Sequence, residues 1–220
     1  MEHAVDHRLT FSAEPDDPRG VVLMLHGGAE HNLKEVDDRN KQLWRARWMF
    51  QQVSGRLVRA GNVVALLRFS VVGWNARHRP EPAPVGDARW ALDQLRQRYD
   101  DLPVVLLGHS MGARTAAWSA DDPSVAGVVG LAPWFPADDP VDQLAGKHVV
   151  GAHGRTDRIT SAKATRRYLD RAARVAASTT FVDRGRVGHY MLRDIRGWNS
   201  VAVEETLGIM DRVTGLTPGG

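Results

Sequence analysis

Residues 104–112 read Val104-Val105-Leu106-Leu107-Gly108-His109-Ser110-Met111-Gly112, followed by Ala113-Arg114-Thr115-Ala116-Ala117-Trp118. An unbroken apolar run ends in Gly-x-Ser-x-Gly, and a helix-forming stretch begins at once. This pattern places a serine on a sharp strand-to-helix turn, with its hydroxyl raised over the end of a sheet. Serine is a poor nucleophile until a base takes its proton, so the rest of the chain must supply one.

Outward from this stretch, short apolar runs alternate with amphipathic segments. Arg8–Phe11 reads as an opening edge strand, with a turn over 15–20. Residues 21–25, 63–67, 104–107, 125–131, 148–152 and 179–182 read as strands, most without polar alternation. Between them, residues 37–60, 85–99, 111–120 and 161–176 read as helices, and 201–213 as a closing helix. Residues 70–84 carry Gly73, Pro80, Pro82 and Pro84 and read as a loop. The tail 217–220 reads as frayed. Apolar strands separated by helices mean a mostly parallel sheet covered on both faces, an α/β class. At 220 residues and 43% hydrophobic, the chain can bury one core, so 1–220 is expected to be a single domain.

Composition excludes several chemistries. There is no cysteine, hence no disulfide framework, thiolate nucleophile or thiolate metal site. No Gly-x-Gly-x-x-Gly, phosphate loop or His-Glu-x-x-His occurs. Net charge is only +3 and the arginines are scattered, which argues for solvated helix faces and no nucleic-acid partner. No apolar stretch approaches bilayer length, and residues 1–8 lack the apolar core of a secretory signal. A cytoplasmic location without a membrane span is therefore expected. The oligomeric state is left open.

In such sheets chemistry sits beyond the carboxyl ends of the strands. His26-Gly27-Gly28-Ala29 follows the first buried strand. Ser110 follows the third. His153-Gly154-Arg155-Thr156-Asp157 follows the fifth, and Gly185-Arg186-Val187-Gly188-His189-Tyr190 follows the last. Ser110, Asp157 and His189 thus appear in the order nucleophile, acid, base. Asp138 and Asp139, after the fourth buried strand, are the rival acids. Thr160 or Ser161 is the better cap for the next helix, which frees Asp157.

These segments resemble the α/β-hydrolase superfamily, and within it a compact serine hydrolase; the resemblance spans about Val21 to Val213. It implies that Ser110 attacks an acyl carbon, His189 shuttles the proton, and Asp157 orients the imidazole. It also implies an oxyanion hole from the backbone N–H of Met111 and that of Gly28 or Ala29. His26 and His153 are expected to brace the scaffold, and His109 to pack beside the site. Residues 133–147 are too short for a cap domain, so the site should be open to small acyl substrates. Trp74, Trp134, Phe135 and Tyr190 are candidate pocket walls, and Arg68 a candidate anion contact. Carboxylic ester hydrolysis is the expected reaction, with no cofactor. Thioester cleavage is the second expectation, and a non-catalytic ligand-binding relative the alternative from another class.

Overall fold

The computed structural model describes residues 8–76, 81–100 and 102–215. Along that span run β1 (Arg8–Phe11), β2 (Gly20–Leu25), α1 (Lys41–Arg59), β3 (Asn62–Arg68), α2 (Ala83–Tyr99) and β4 (Val104–His109). There follow α3 (Met111–Trp118), β5 (Val125–Leu131), β6 (His148–His153), α4 (Ala162–Ala172), β7 (Ser178–Asp183) and α5 (Ile195–Thr214). The tail 217–220 lies outside the described residues.

The strands form one sheet in the order β1-β3-β2-β4-β5-β6-β7. Only β1 is antiparallel, pairing Arg8 with Arg68 and Phe11 with Ala65. The others run parallel, as their lack of alternation requires: every residue of β2 is buried, and Val64, Val105 and Val128 are 0% exposed. Two helical layers supply that burial. α1 packs against β3 and α5, α5 also covers β5, and α2 packs on α3 over the other face. Gly127 and Gly130 of β5 mark the two sides, Gly127 lying under Ile209 of α5 and Gly130 under Ala113 of α3. Burying one Val or Leu of these strands contributes roughly 1.5–3 kcal/mol.

Chain direction across the sheet reverses between β2 and β4. β3 continues on one side and β5 to β7 on the other. The loops after β2 and β4 therefore diverge, and a crevice forms at their carboxyl ends.

Helix ends depart from the sequence expectations for local reasons. α1 begins at Lys41, not 37, because the Asn40 side chain accepts from the N–H groups of Gln42 and Leu43. α2 begins at Ala83 inside the expected loop, since Pro84 is tolerated in a first turn. α5 begins six residues before the expected 201, capped by Asp194, whose carboxylate accepts from the Gly197 N–H. α3 stops at Trp118 and α4 at Ala172, both short of expectation. Between β5 and β6 the chain makes only a 3-10 turn, Asp142–Leu144, so there is no large cap. No helix among the described residues is long and apolar enough to cross a membrane.

Candidate active site

Ser110 joins β4 to α3 at φ 55° and ψ −115°, a conformation that costs a non-glycine residue of order 1–3 kcal/mol. The surroundings hold it there. Its N–H donates to Leu131 O at 3.0 Å, and its carbonyl accepts from Ala113, Arg114 and Trp134 N–H groups. The flanking glycines permit the tight approach. A methyl on Gly108 would overlap the backbone of Gly112 and Ala113, and one on Gly112 would overlap the carbonyls of Leu25 and His26. Ser110 is buried, 7% exposed.

The loop after β2 lies against this turn. Gly27 faces the Cβ of Ser110 and the Nδ1 of His109, while Gly28 lies against the Met111 side chain and Val72 O. His26 fixes the loop. Its Nε2 accepts from the Phe69 N–H at 3.1 Å, so Nδ1 carries the proton and donates to Gly27 O at 2.6 Å. Ala29 donates its own N–H to Val72 O at 2.9 Å. The expected oxyanion donor Ala29 thus has its N–H engaged within the loop. The Met111 N–H, at the first position of α3, has no acceptor one turn back within the helix.

Asp157 and His189 meet at 2.9 Å, Oδ2 to Nδ1. A carboxylate only accepts, so Nδ1 carries the proton and the lone pair of neutral His189 sits on Nε2. The same Oδ2 accepts from His153 Nε2 at 3.2 Å and from the Thr160 hydroxyl at 2.9 Å. Oδ1 accepts from the N–H groups of Ile159 and Thr160 at 2.8 and 2.9 Å. Burial works to raise this carboxyl, but the bonds from His153, His189, Thr160 and Ile159 hold it far below the usual carboxylate range. His153 is fixed in turn, its Nδ1 accepting from the Thr165 hydroxyl at 2.8 Å. His109 donates from Nε2 to His189 O at 3.0 Å, and the two rings lie 5.0 Å apart. Ser110 is therefore chain neighbour to a residue in direct contact with His189.

The remaining candidates separate into two groups. Tyr190 is half exposed, its ring 5.3 Å from that of His189. Trp134 donates its backbone N–H to Ser110 O, and its ring packs edge-on against Trp74 beneath Arg114. Trp74, Phe135 and Arg68 are tied into the scaffold. Trp74 is 2% exposed and packs edge-on against Trp118 and Trp134. Phe135 is 3% exposed and stacks on Tyr168. Arg68 lies 3.8 Å from Asp38. Of the rival acids, Asp139 is held by Arg114 through a fork of two bonds at 2.7 and 2.5 Å, and Arg114 lies over the Trp74 and Trp134 rings. Thr160, through its bond to Asp157, is a further residue of the site. Its signal was the choice of cap, since Ser161 caps α4 and leaves Thr160 free to donate.

Buried His26 and half-buried His109 are expected to make the fold acid-sensitive. Burial pushes His26 down to about 4 and His109 to about 3. Their unfolded values sit near 6.5, so below that pH the unfolded chain binds more protons. Stability is full above about pH 6.5 and falls with pH until the folded values are reached. Asp157, shifted the other way, keeps its contribution across this window and loses it only in stronger acid. Between pH 7.5 and 4.5 the loss should be about 2–3 kcal/mol from His26, with a smaller addition from the half-buried His109. Urea unfolding at the two values checks it, and equal midpoints would contradict it.

The sequence over residues 22–213 matches the alpha/beta hydrolase family, and the chain belongs to it. No curated protein matches the sequence. Solved structures share the fold. Esterase 2 of the planctomycete Thermogutta terrifontis, bound to butyrate, aligns with a TM-score of 0.71 and 14% identity, covering 98% of this chain and 92% of that one. An alpha-beta serine hydrolase homologue from Coxiella burnetii aligns at 0.67 with 16% identity, covering 90% and 91%. Est1E of Butyrivibrio proteoclasticus, bound to ferulic acid, aligns at 0.66 with 12% identity, covering 93% and 95%.

Proposed function

We propose that the protein is a serine hydrolase that cleaves carboxylic esters through Ser110, His189 and Asp157. The observation that carries the proposal is the 2.9 Å pair of Asp157 and His189, on the rim where the strained Ser110 turn lies. The pairing fixes the tautomer in which Nε2 can accept the serine proton. Esterases among the structural relatives are consistent with it.

In the first step the Ser110 oxygen bonds to the acyl carbon, and its proton passes to His189 Nε2. The carbonyl oxygen becomes an anion that the Met111 and Gly28 N–H groups receive. The bond to the alcohol breaks, and His189 returns the proton to that leaving oxygen. A water then adds to the acyl-serine, His189 takes its proton, and the acid leaves as Ser110 regains its hydrogen. Asp157 stabilises the imidazolium in both halves.

A fluorophosphonate probe tests the nucleophile. The native protein should label and Ser110→Ala should not, and equal labelling of both would overturn the assignment. The oxyanion role predicts that Gly28→Ala lowers kcat on a short-chain chromogenic ester by about 10²-fold. A methyl there overlaps Met111 and the fixed carbonyl of Val72, so the loop must shift. An unaltered kcat in that variant would remove Gly28 from the role.

A further inference from the structure

We propose that the groove between α1 and the segment after His189 is a substrate subsite for an apolar body bearing a free carboxylate, which Arg45 binds. This rests on the serine-hydrolase reading above.

The groove has a volume of about 530 Å³, with Trp44, Trp48, Met49, Tyr190, Leu192 and Ile195 among its walls. Trp44 is 62% and Leu192 66% exposed, so large apolar surface faces water with nothing among the described residues over it. Tyr190 is a shared wall. With Met191 and Leu192 it also lines an adjoining cleft of about 600 Å³ that includes His189. A ligand in the groove is thus one ring away from the imidazole that moves the proton.

The charge in this groove is Arg45. It is half buried, and its guanidinium lies 4.8 Å above the Tyr190 ring. Among the described residues, no carboxylate lies within ion-pairing distance of it. Its neighbours on α1 differ, for Arg47 pairs with Asp38 and Arg56 with Glu204. Burial lowers the pKa of Arg45, as expected for a cation held partly out of water. Such a group is stabilised by an anion that fits its planar fork, and a carboxylate fits it with two parallel bonds. One guanidinium among apolar walls matches one negative charge on an apolar chain or ring. The site escapes a reading based on strand ends because Arg45 lies inside a helix, one turn from its cap.

The test compares two chromogenic esters with one leaving group. One is the mono-p-nitrophenyl ester of adipic acid, and the other is the same molecule with its free carboxyl capped as a methyl ester. In native protein at low salt, kcat/KM for the charged ester should exceed that of the capped one by about tenfold or more. The ratio should shrink as salt is added, collapse to within about twofold in Arg45→Met, and survive in part in Arg45→Lys. A native ratio of one or less overturns the proposal, as does a ratio that persists in Arg45→Met. Should Arg45→Met not fold, a ratio insensitive to both salt and Arg45→Lys is the overturning result. Capped ester cleaved and Ser110 labelled, with no charge preference, removes the subsite alone. Failure of both esters together with failure of Ser110 labelling removes the hydrolase reading and the subsite with it. A dimer that Trp44→Glu splits, with no charge preference, assigns the groove to a second copy of the chain and overturns the proposal.

Discussion

Ser110→Ala should lower kcat on p-nitrophenyl butyrate at least about 10⁴-fold while leaving the melting temperature within a few degrees of native, on the order of the 1 kcal/mol typical of a benign substitution. The two halves of this expectation have separate physical origins. The strain at φ 55° belongs to the backbone and to Cβ, and alanine keeps both. The bonds that hold the turn are all main-chain: the N–H to Leu131, and the carbonyl to Ala113, Arg114 and Trp134. Removing Oγ touches none of them. On the proposed mechanism, what disappears is the atom that would bond to the acyl carbon. Residual turnover would come from water held between His189 and the two amides, which is why the loss is finite. Initial rates and a thermal melt on the same preparation check both halves. A loss under tenfold would place the nucleophile elsewhere.

The sequence made the strands readable because a parallel sheet buried on both faces leaves a visible mark, apolar runs without alternation such as 104–107. The position of each chemical residue just past a strand was readable for the same reason. Contacts between segments far apart in the chain were not. Beyond the choice of cap at Thr160 or Ser161, nothing local distinguishes Asp139, paired to Arg114 through space, from Asp157, 2.9 Å from His189. Aromatic side chains near strand ends carry no sign of which way they point. Trp74 and Phe135 read like pocket walls, yet lie 2% and 3% exposed in packed clusters. The start of α5 at Ile195 was hidden because Arg196 and Gly197 interrupt its first turn, although Ile195 and Trp198 keep the helical spacing that leads to Val201. Arg45 had no sequence signal at all, since an arginine on an amphipathic helix reads as solvated until its surroundings are known.

The acid assignment gives the second large effect. Asp157→Asn should lower kcat by about 10⁴-fold with the fold retained, by inverting a tautomer. The two backbone N–H groups of Ile159 and Thr160 both donate to Oδ1, so they will select the amide oxygen of asparagine at that position. The NH₂ group is then forced to the place of Oδ2, facing His189 Nδ1 and His153 Nε2. A donor there makes Nδ1 of His189 an acceptor and moves its proton to Nε2. Nε2 then has no lone pair for the serine proton. His153 can absorb the same inversion, because Thr165 can turn its hydroxyl to the Ser161 carbonyl 3.3 Å away and accept from Nδ1. The damage to rate therefore comes with retained geometry, while the stability contributed by the ionised Asp157 is lost alongside it. Asp139→Asn should do the opposite. It leaves the Arg114 guanidinium, between Trp74 and Trp134, without its counter-charge, at a stability cost of about 3 kcal/mol or more. The folded fraction of that variant keeps the Asp157–His189 pair and should turn over normally. Kinetics and urea unfolding of the two variants side by side separate the cases. If Asp139→Asn loses more kcat than Asp157→Asn, the orienting carboxylate lies after β5 and the tautomer argument fails.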